Sequence, residues 1–261
     1  MKSLRAGNRA AFPAFSAVEI RDPGPAFEEM RAELEGKDYI EKYVQALTHE
    51  LKSPLSSIRG AAELLEDDMP EEQKRKFHRN ILAETGRIDS IIGKLLQLTA
   101  LEKRKELKGI ETVDIRAVAA DVIASLEPQL VRGGVLIVNN VRPGHQVAGE
   151  KFLITHAVLN LFKNAVQFTP DGGAITLASE SSGNFIILPI SDTGTGIPDF
   201  ARERIFDRFY SLPARDRTRG TGLGLPFVRE VAHLHGGYAE VRDNDGGPGV
   251  TATLALPEKR S

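Results

Sequence analysis

His49 and Glu50 are the residues of this chain best placed for covalent chemistry. They lie in a long helical pattern whose apolar seam runs Ile40, Val44, Leu47, Leu51, Pro54, Ile58, Ala61 and Leu65. The steps alternate four and three, the heptad rhythm of a helix packed in a bundle. At about 100° per residue, His49 falls on the side of the helix away from that seam. An imidazole presented to solvent on a rigid helix, with a carboxylate as its neighbour, can act as a nucleophile with a base beside it. A zinc-protease helix also begins His-Glu, but it needs a second His four residues on, and that position is Ser53. A lone surface histidine is usually just a solvated side chain, so the weight of His49 depends on the rest of the chain.

Three later segments carry further chemistry. Asn160 and Asn164 are four residues apart and share one helix face, with Leu159, Phe162 and Val166 expected on the buried side. Their amides can take up metal-bound waters and phosphate oxygens, and a neutral amide oxygen suits Mg²⁺ when phosphates supply the charge. Asp192-Thr193-Gly194-Thr195-Gly196-Ile197-Pro198 follows an apolar run, which puts Asp192 at a strand end. There it can accept a hydrogen bond from an exocyclic amine, while Gly194 and Gly196 let the backbone approach a flat ligand. Gly220-Thr221-Gly222-Leu223-Gly224-Leu225 precedes a helix, the arrangement of a phosphate cradle, although no Gly-Lys-Ser/Thr makes it a P-loop. Residues 207–221 read as a mobile lid that brings Arg208, Arg215, Arg217 and Arg219 near a triphosphate.

The elements that must hold these groups are legible in outline. The 261 residues suffice for two modest domains, and the 41% hydrophobic content suffices for a real core. A net charge of −2 gives no global field to recruit nucleic acid, and the absence of Cys excludes thiolate metal sites. No apolar run approaches the ~20 residues that span a bilayer, and the N-terminus lacks a signal-peptide core. Residues up to about 27 read as a connector broken by Pro13, Pro23, Gly24 and Pro25. A helix is predicted over residues 27–66, disturbed at Pro54. After an acidic turn comes a second helix, seamed by Phe77, Ile81, Glu84, Ile88, Ile91, Leu95 and Leu98. One hairpin cannot bury both seams, so a dimeric four-helix bundle is expected. Past a boundary near residue 108, helices are predicted at 118–131, 152–168 and 228–234. Strands are predicted at 135–138, 174–178, 185–191, 238–242 and 251–256, which together give a two-layer α/β sandwich with a mixed sheet.

Taken in order, His49-Glu50-Leu51-Lys52-Ser53-Pro54, Asn160…Asn164, Asp192…Gly196, Phe206…Phe209 and Gly220…Gly224 resemble the H, N, G1, F and G2 boxes of bacterial two-component sensor histidine kinases. Residues 39–44, 58–63 and 209–213 narrow the resemblance to one member. The resemblance implies an α+β chain in three parts. Residues 1–35 would be a signal-relay linker remnant, 36–107 a dimerising, phosphoaccepting hairpin, and 108–261 an ATP-binding sandwich of GHKL type. It implies that His49 accepts phosphate from ATP, Glu50 takes the imidazole proton, and Ser53 stands where the family positions water. Asn164 would carry Mg²⁺, with Asn160 close to the phosphates. Asp192 would read the adenine amine beside Gly194 and Gly196. Arg208, Gly220, Gly222, Leu223 and Gly224 would belong to the nucleotide site, with Gly222 and Gly224 hinging the lid. The implied partners are a second copy through the hairpin and the receiver domain of a response regulator, with no nucleic acid. Membrane attachment would come only through a sensor region absent from this chain, leaving a cytoplasmic portion.

The chain also departs from the family pattern. Ser53 replaces the usual Thr or Asn, so the resemblance does not carry phosphatase activity across. Gln167 and Phe168 stand where Lys/Arg and Tyr are common. Other ATPases of the same nucleotide fold share the Asn and Asp-x-Gly-x-Gly elements but lack an upstream seamed hairpin with His-Glu. A degenerate dimeric scaffold is the non-enzymatic alternative, and the presence of every box residue argues against it.

Overall fold

The computed structural model describes residues 24–212 and 220–259, with side chains from Val44 onward. The chain forms two compact units, Met1–Ala46 and Leu47–Ser261. In the first, the described part is helical backbone, the beginning of α1 (Gly24–Leu64). The expected linker therefore lies outside the described residues as far as Pro23, and it is already helical from Gly24.

The second unit opens with the rest of α1, which turns at residues 65–70 into α2 (Glu71–Glu102). Pro70 occupies the N-cap position, and Glu71 and Glu72 fill the first turn, where carboxylates favour the positive end of the helix. Most of the predicted seam residues face inward, although Val44 at the start of the first seam is exposed and the side chain of Ile40 lies outside the described residues. Pro54, Ala61, Ile91 and Leu98 are buried, and Leu47, Leu51, Ile58, Phe77, Ile81, Glu84, Ile88 and Leu95 are half-buried. Pro54 interrupts neither the seam nor the helix, although its missing N–H leaves the Glu50 carbonyl without its usual partner. Off the seam, Leu82 and Leu96 on α2 remain mostly exposed.

Beyond the hairpin, β1 (Glu111–Asp114) leads into α3 (Ile115–Ser125), capped by Asp114 accepting the Arg116 N–H at 2.9 Å. The single helix expected over 118–131 is two. The chain leaves helical geometry at Leu126, and Pro128 opens α4 (Glu127–Gly133), where a missing N–H costs nothing. There follow β2 (Leu136–Asn140), β3 (Gln146–Gly149), α5 (Lys151–Phe168), β4 (Ala174–Ala178), β5 (Glu180–Ser182) and β6 (Phe185–Asp192). The chain ends with α6 (Gly224–Leu234), β7 (Tyr238–Asp243) and β8 (Val250–Pro257). The main sheet runs β2-β4-β6-β8-β7, with β5 beside β6. Only β2–β4 is parallel, which makes the expected mixed sheet. Strands β1 and β3 form a separate antiparallel pair. Helices α5 and α6 pack on the main sheet over a core that includes Ile154, Phe162, Ile175, Ile190, Val228 and Leu254. On α5 the buried face is carried by Ala157, Val158, Leu161, Phe162 and Ala165, while Leu159 and Val166 are only half-buried. Among the described residues no helix is long and apolar enough to cross a membrane.

A polar chain fastens the end of the hairpin to the sandwich. Arg104 pairs with Glu150, which also accepts the Lys108 N–H, and the Arg104 bond holds the Glu150 carboxyl below the usual range. The Glu150 N–H donates to His235 Nε2 at 3.1 Å, so Nδ1 carries the ring proton and donates to the Val231 carbonyl at 2.7 Å. Burial pushes the His235 pKa below its ordinary value, so the ring is neutral in the fold. The unfolded chain binds that proton first, hence stability is lost as pH falls below about 6.5. The unfolding midpoint should therefore drop between about pH 7 and about pH 5.5, and His235→Gln should flatten this part of the slope. Equal slopes in both proteins would assign the acid sensitivity to other groups.

Candidate active site

The α5 face, the end of β6, the segment after it and the start of α6 enclose a cavity of about 230 Å³. Its wall includes Asn160, Asn164, Asp192, Gly196, Gly220, Gly222 and Gly224, so residues far apart in sequence meet around one space. Ile190, Ile197, Ile205, Val241, Val250 and Ala252 supply apolar surface suited to a flat ring.

Asp192 is the most constrained of these groups. It is buried at the end of β6, and its Oδ1 accepts the N–H groups of Gly194 at 2.8 Å and Val250 at 3.3 Å. Oδ2 is left for a ligand donor. Burial raises the carboxyl pKa, and the two N–H groups pull the other way. Gly194 serves Asp192 rather than the cavity wall, since a Cβ there would sit 2.7 Å from both Asp192 Oδ1 and the Phe168 carbonyl. Two residues unmarked in the sequence reading hold this corner. Asn244 Nδ2 donates to the Asp192 carbonyl at 2.7 Å. Asp243 accepts the Ile197 N–H at 2.8 Å and pairs with Arg202 at 2.7 Å, pinning the Gly194–Gly196 loop to β7. Both sit in an Asp-Asn-Asp-Gly-Gly run that reads only as a turn.

Asn160 donates to the His156 carbonyl at 3.0 Å, which frees its Oδ1, and Gly224 at the start of α6 lies so close that a Cβ would stand 3.3 Å from that oxygen. The amide face of α5 and the positive end of α6 thus adjoin, a fitting environment for phosphate. No cluster of three metal-ligating side chains exists among the described residues. A cation at Asn164 would therefore need phosphate oxygens for its charge, which fits Mg²⁺ carried with a nucleotide and not a resident metal.

Leu223 and Arg208, both expected in the nucleotide site, do not form part of the cavity wall. Leu223 is buried at the N-cap of α6. Arg208 pairs with Glu102 in the last turn of α2 and is not part of the cavity wall. Arg215, Arg217 and Arg219 lie outside the described residues. Phe209 and Gly222, on either side of residues 213–219, are clasped together. The Phe209 N–H donates to the Gly222 carbonyl at 3.0 Å, Phe209 takes a positive φ of 60°, and any Cβ on Gly222 would strike the Phe209 backbone.

On the hairpin, His49 and Ser53 are exposed, one turn apart. Glu50 is more enclosed, with side-chain exposure of 11%, and faces Arg87 of α2 at 3.7 Å. Arg59 of the same helix pairs with Glu63. Lys94, where α2 meets the cavity, is seven residues beyond Arg87, about 10 Å of helix rise.

The family comparisons agree with this geometry. Residues 40–104 match the His Kinase A (phospho-acceptor) domain, and residues 149–260 match the histidine kinase-, DNA gyrase B- and HSP90-like ATPase. The chain is 44% identical to sensor protein CreC of Escherichia coli over 94% of its own length and 51% of CreC, in line with the narrower resemblance. It is 30% identical to the sensor-like histidine kinase SenX3 of Mycolicibacterium smegmatis, over 94% of this chain and 62% of that protein. The chain thus spans about half to three-fifths of these relatives. Among solved structures, a histidine kinase ThkA in complex with response regulator TrrA superposes with a TM-score of 0.70 at 21% identity, covering 90% of this chain and 66% of ThkA. Acinetobacter baumannii AdeS gives 0.66 at 20% identity, covering 81% and 98%. With phosphoacceptor hairpin and ATPase sandwich joined in that order, the chain belongs to the sensor histidine kinase family.

Proposed function

We propose that the chain is the kinase portion of a two-component sensor, with residues 1–35 as relay linker, 36–107 as dimerising phosphoacceptor and 108–261 as ATP-binding domain. The carrying observation is one chain that presents an exposed His49 on a hairpin and a cavity combining buried Asp192 with the Asn160 and Asn164 amides. Asp192 Oδ2 accepts the adenine amine, and the apolar wall packs the base. Asn160 and the start of α6 hold the phosphates. Asn164 offers an amide oxygen to Mg²⁺, which when bound with the nucleotide offsets phosphate charge. The His49 lone pair forms a bond to the γ-phosphorus, the bond to the ADP oxygen breaks, and the imidazole proton passes to Glu50. The phosphoramidate then passes to an aspartate of a response regulator, in keeping with the regulator bound to the ThkA neighbour. The working form is a homodimer, whose second hairpin covers apolar residues such as Leu82 and Leu96. The portion is cytoplasmic, and attachment to a membrane belongs to a region outside this chain.

Incubation with γ-labelled ATP and Mg²⁺ tests the reading. Acid-labile, base-stable label on the chain is expected. Acid-stable label would indicate a hydroxyl acceptor, and no label with intact ATP binding would indicate a scaffold.

Asp192→Asn gives a second test with two readouts. ATP affinity should weaken by about 1–3 kcal/mol, because the new amide N–H₂ is a donor facing the ligand's own N–H donor and cannot accept from it. The ligand-free chain should unfold at an equal or higher temperature, because the raised pKa marks a carboxylate that is costly to keep charged at neutral pH. Unchanged affinity in calorimetry would move the base-reading role elsewhere.

A further inference from the structure

Lys94 projects from α2 at a position off the apolar seam and helps wall the cavity beside Asn160, Lys163 and Asn164. The charge that acts on its ammonium is a like one, Lys163. Burial, and then the Lys163 ammonium, lower its pKa from the ordinary lysine value. Among the described residues neither Lys94 nor Lys163 pairs with a carboxylate, whereas Arg87 pairs with Glu50, Arg104 with Glu150 and Arg208 with Glu102. Two unpaired ammonium groups turned toward one cavity repel each other unless an anion lies between them. The cavity already offers the other halves of an anion site, the α5 amides and the N-terminus of α6.

We propose that Lys94 is a polyphosphate anchor, through which the second hairpin helix holds the phosphate chain of a nucleotide seated in the sandwich. This rests on the reading of the cavity as an ATP site. In this arrangement the phosphate chain relieves the repulsion between Lys94 and Lys163 and ties α2 to the sandwich. A ligand with the base but no phosphates does neither.

The test uses calorimetry on the full chain with ATP, ADP and adenosine, for wild type, Lys94→Gln, Lys94→Arg and Asp192→Asn. Lys94→Gln should weaken ATP by about 3–30-fold, as expected for a partly exposed charged contact, and leave adenosine within about twofold. Lys94→Arg should keep most of the ATP affinity. The dependence of ATP binding on salt should flatten in Lys94→Gln. Wild-type affinity for ATP in Lys94→Gln would overturn the anchor, as would an equal loss for ATP and adenosine. If Asp192→Asn still weakened both ligands in that case, the nucleotide site itself would stand. Wild type binding neither ATP nor adenosine would overturn the nucleotide reading and the anchor with it.

Discussion

Replacing His49 by Gln should abolish incorporation of phosphate into the chain, with less than about one part in a thousand of the wild-type rate remaining, while ATP affinity stays unchanged. Loss of a nucleophile removes the bond-forming atom and not a fraction of the barrier, so the effect is larger than for any supporting group. Affinity is spared because His49 is an exposed side chain on α1 and is not part of the cavity wall. Stability is spared for the same reason, since Gln is a good helix former and no seam contact is lost. The measurement is labelled phosphate on the purified chain beside ATP binding by calorimetry. Residual acid-labile phosphate on the variant would mean a second acceptor, for which the exposed His78 of α2 would be the first to examine.

The helix seams, the five longer strands and the three glycine and asparagine segments were legible because each carries a pattern at its own period or a residue type with one physical use. The short elements were not. Strand β5 is wholly exposed, and β1 buries only Val113, so neither offers an alternation to read. The break between α3 and α4 depended on Pro128, which marks a helix start as well as a helix end. Within the site, Asp192, Asn160 and Asn164 could be named because a carboxylate at a strand end and two amides at helical spacing have few roles. The pairing of Arg208 with Glu102 could not be read from the sequence. Glu102 lies over a hundred residues away, and pairing at that distance leaves no trace in local spacing. Asp243 and Asn244 were missed for the same reason. Their hydrogen bonds reach back to Ile197 and Asp192, and the run they sit in has only turn character.

Glu50 is where structure sharpens the sequence reading most. Its carboxylate is largely enclosed and leans across the hairpin toward Arg87, so it is neither free beside His49 nor in a helix-surface pair. Two roles follow, and they predict different numbers. If Glu50 is the base, Glu50→Gln should slow autophosphorylation by about 10²–10⁴-fold, the range for general base catalysis, with ATP affinity unchanged. The proton then has no carboxylate to go to, although Gln still fills the space and can still hydrogen-bond Arg87. If Glu50 serves only to hold α1 against α2, its loss and that of its partner should look alike. Glu50→Gln and Arg87→Gln would then lower the unfolding midpoint by similar small amounts and leave the rate within about threefold, as for a weak, partly exposed ion pair. Catalytic hydrogen bonds are often long before substrate arrives, so the 3.7 Å separation from Arg87 leaves the carboxylate able to swing to His49 when the nucleotide is in place. The expected result is therefore asymmetric: Glu50→Gln slow and Arg87→Gln fast, with nearly equal stability. Equal rates for the two variants would remove the base assignment and leave His49 to lose its proton to water.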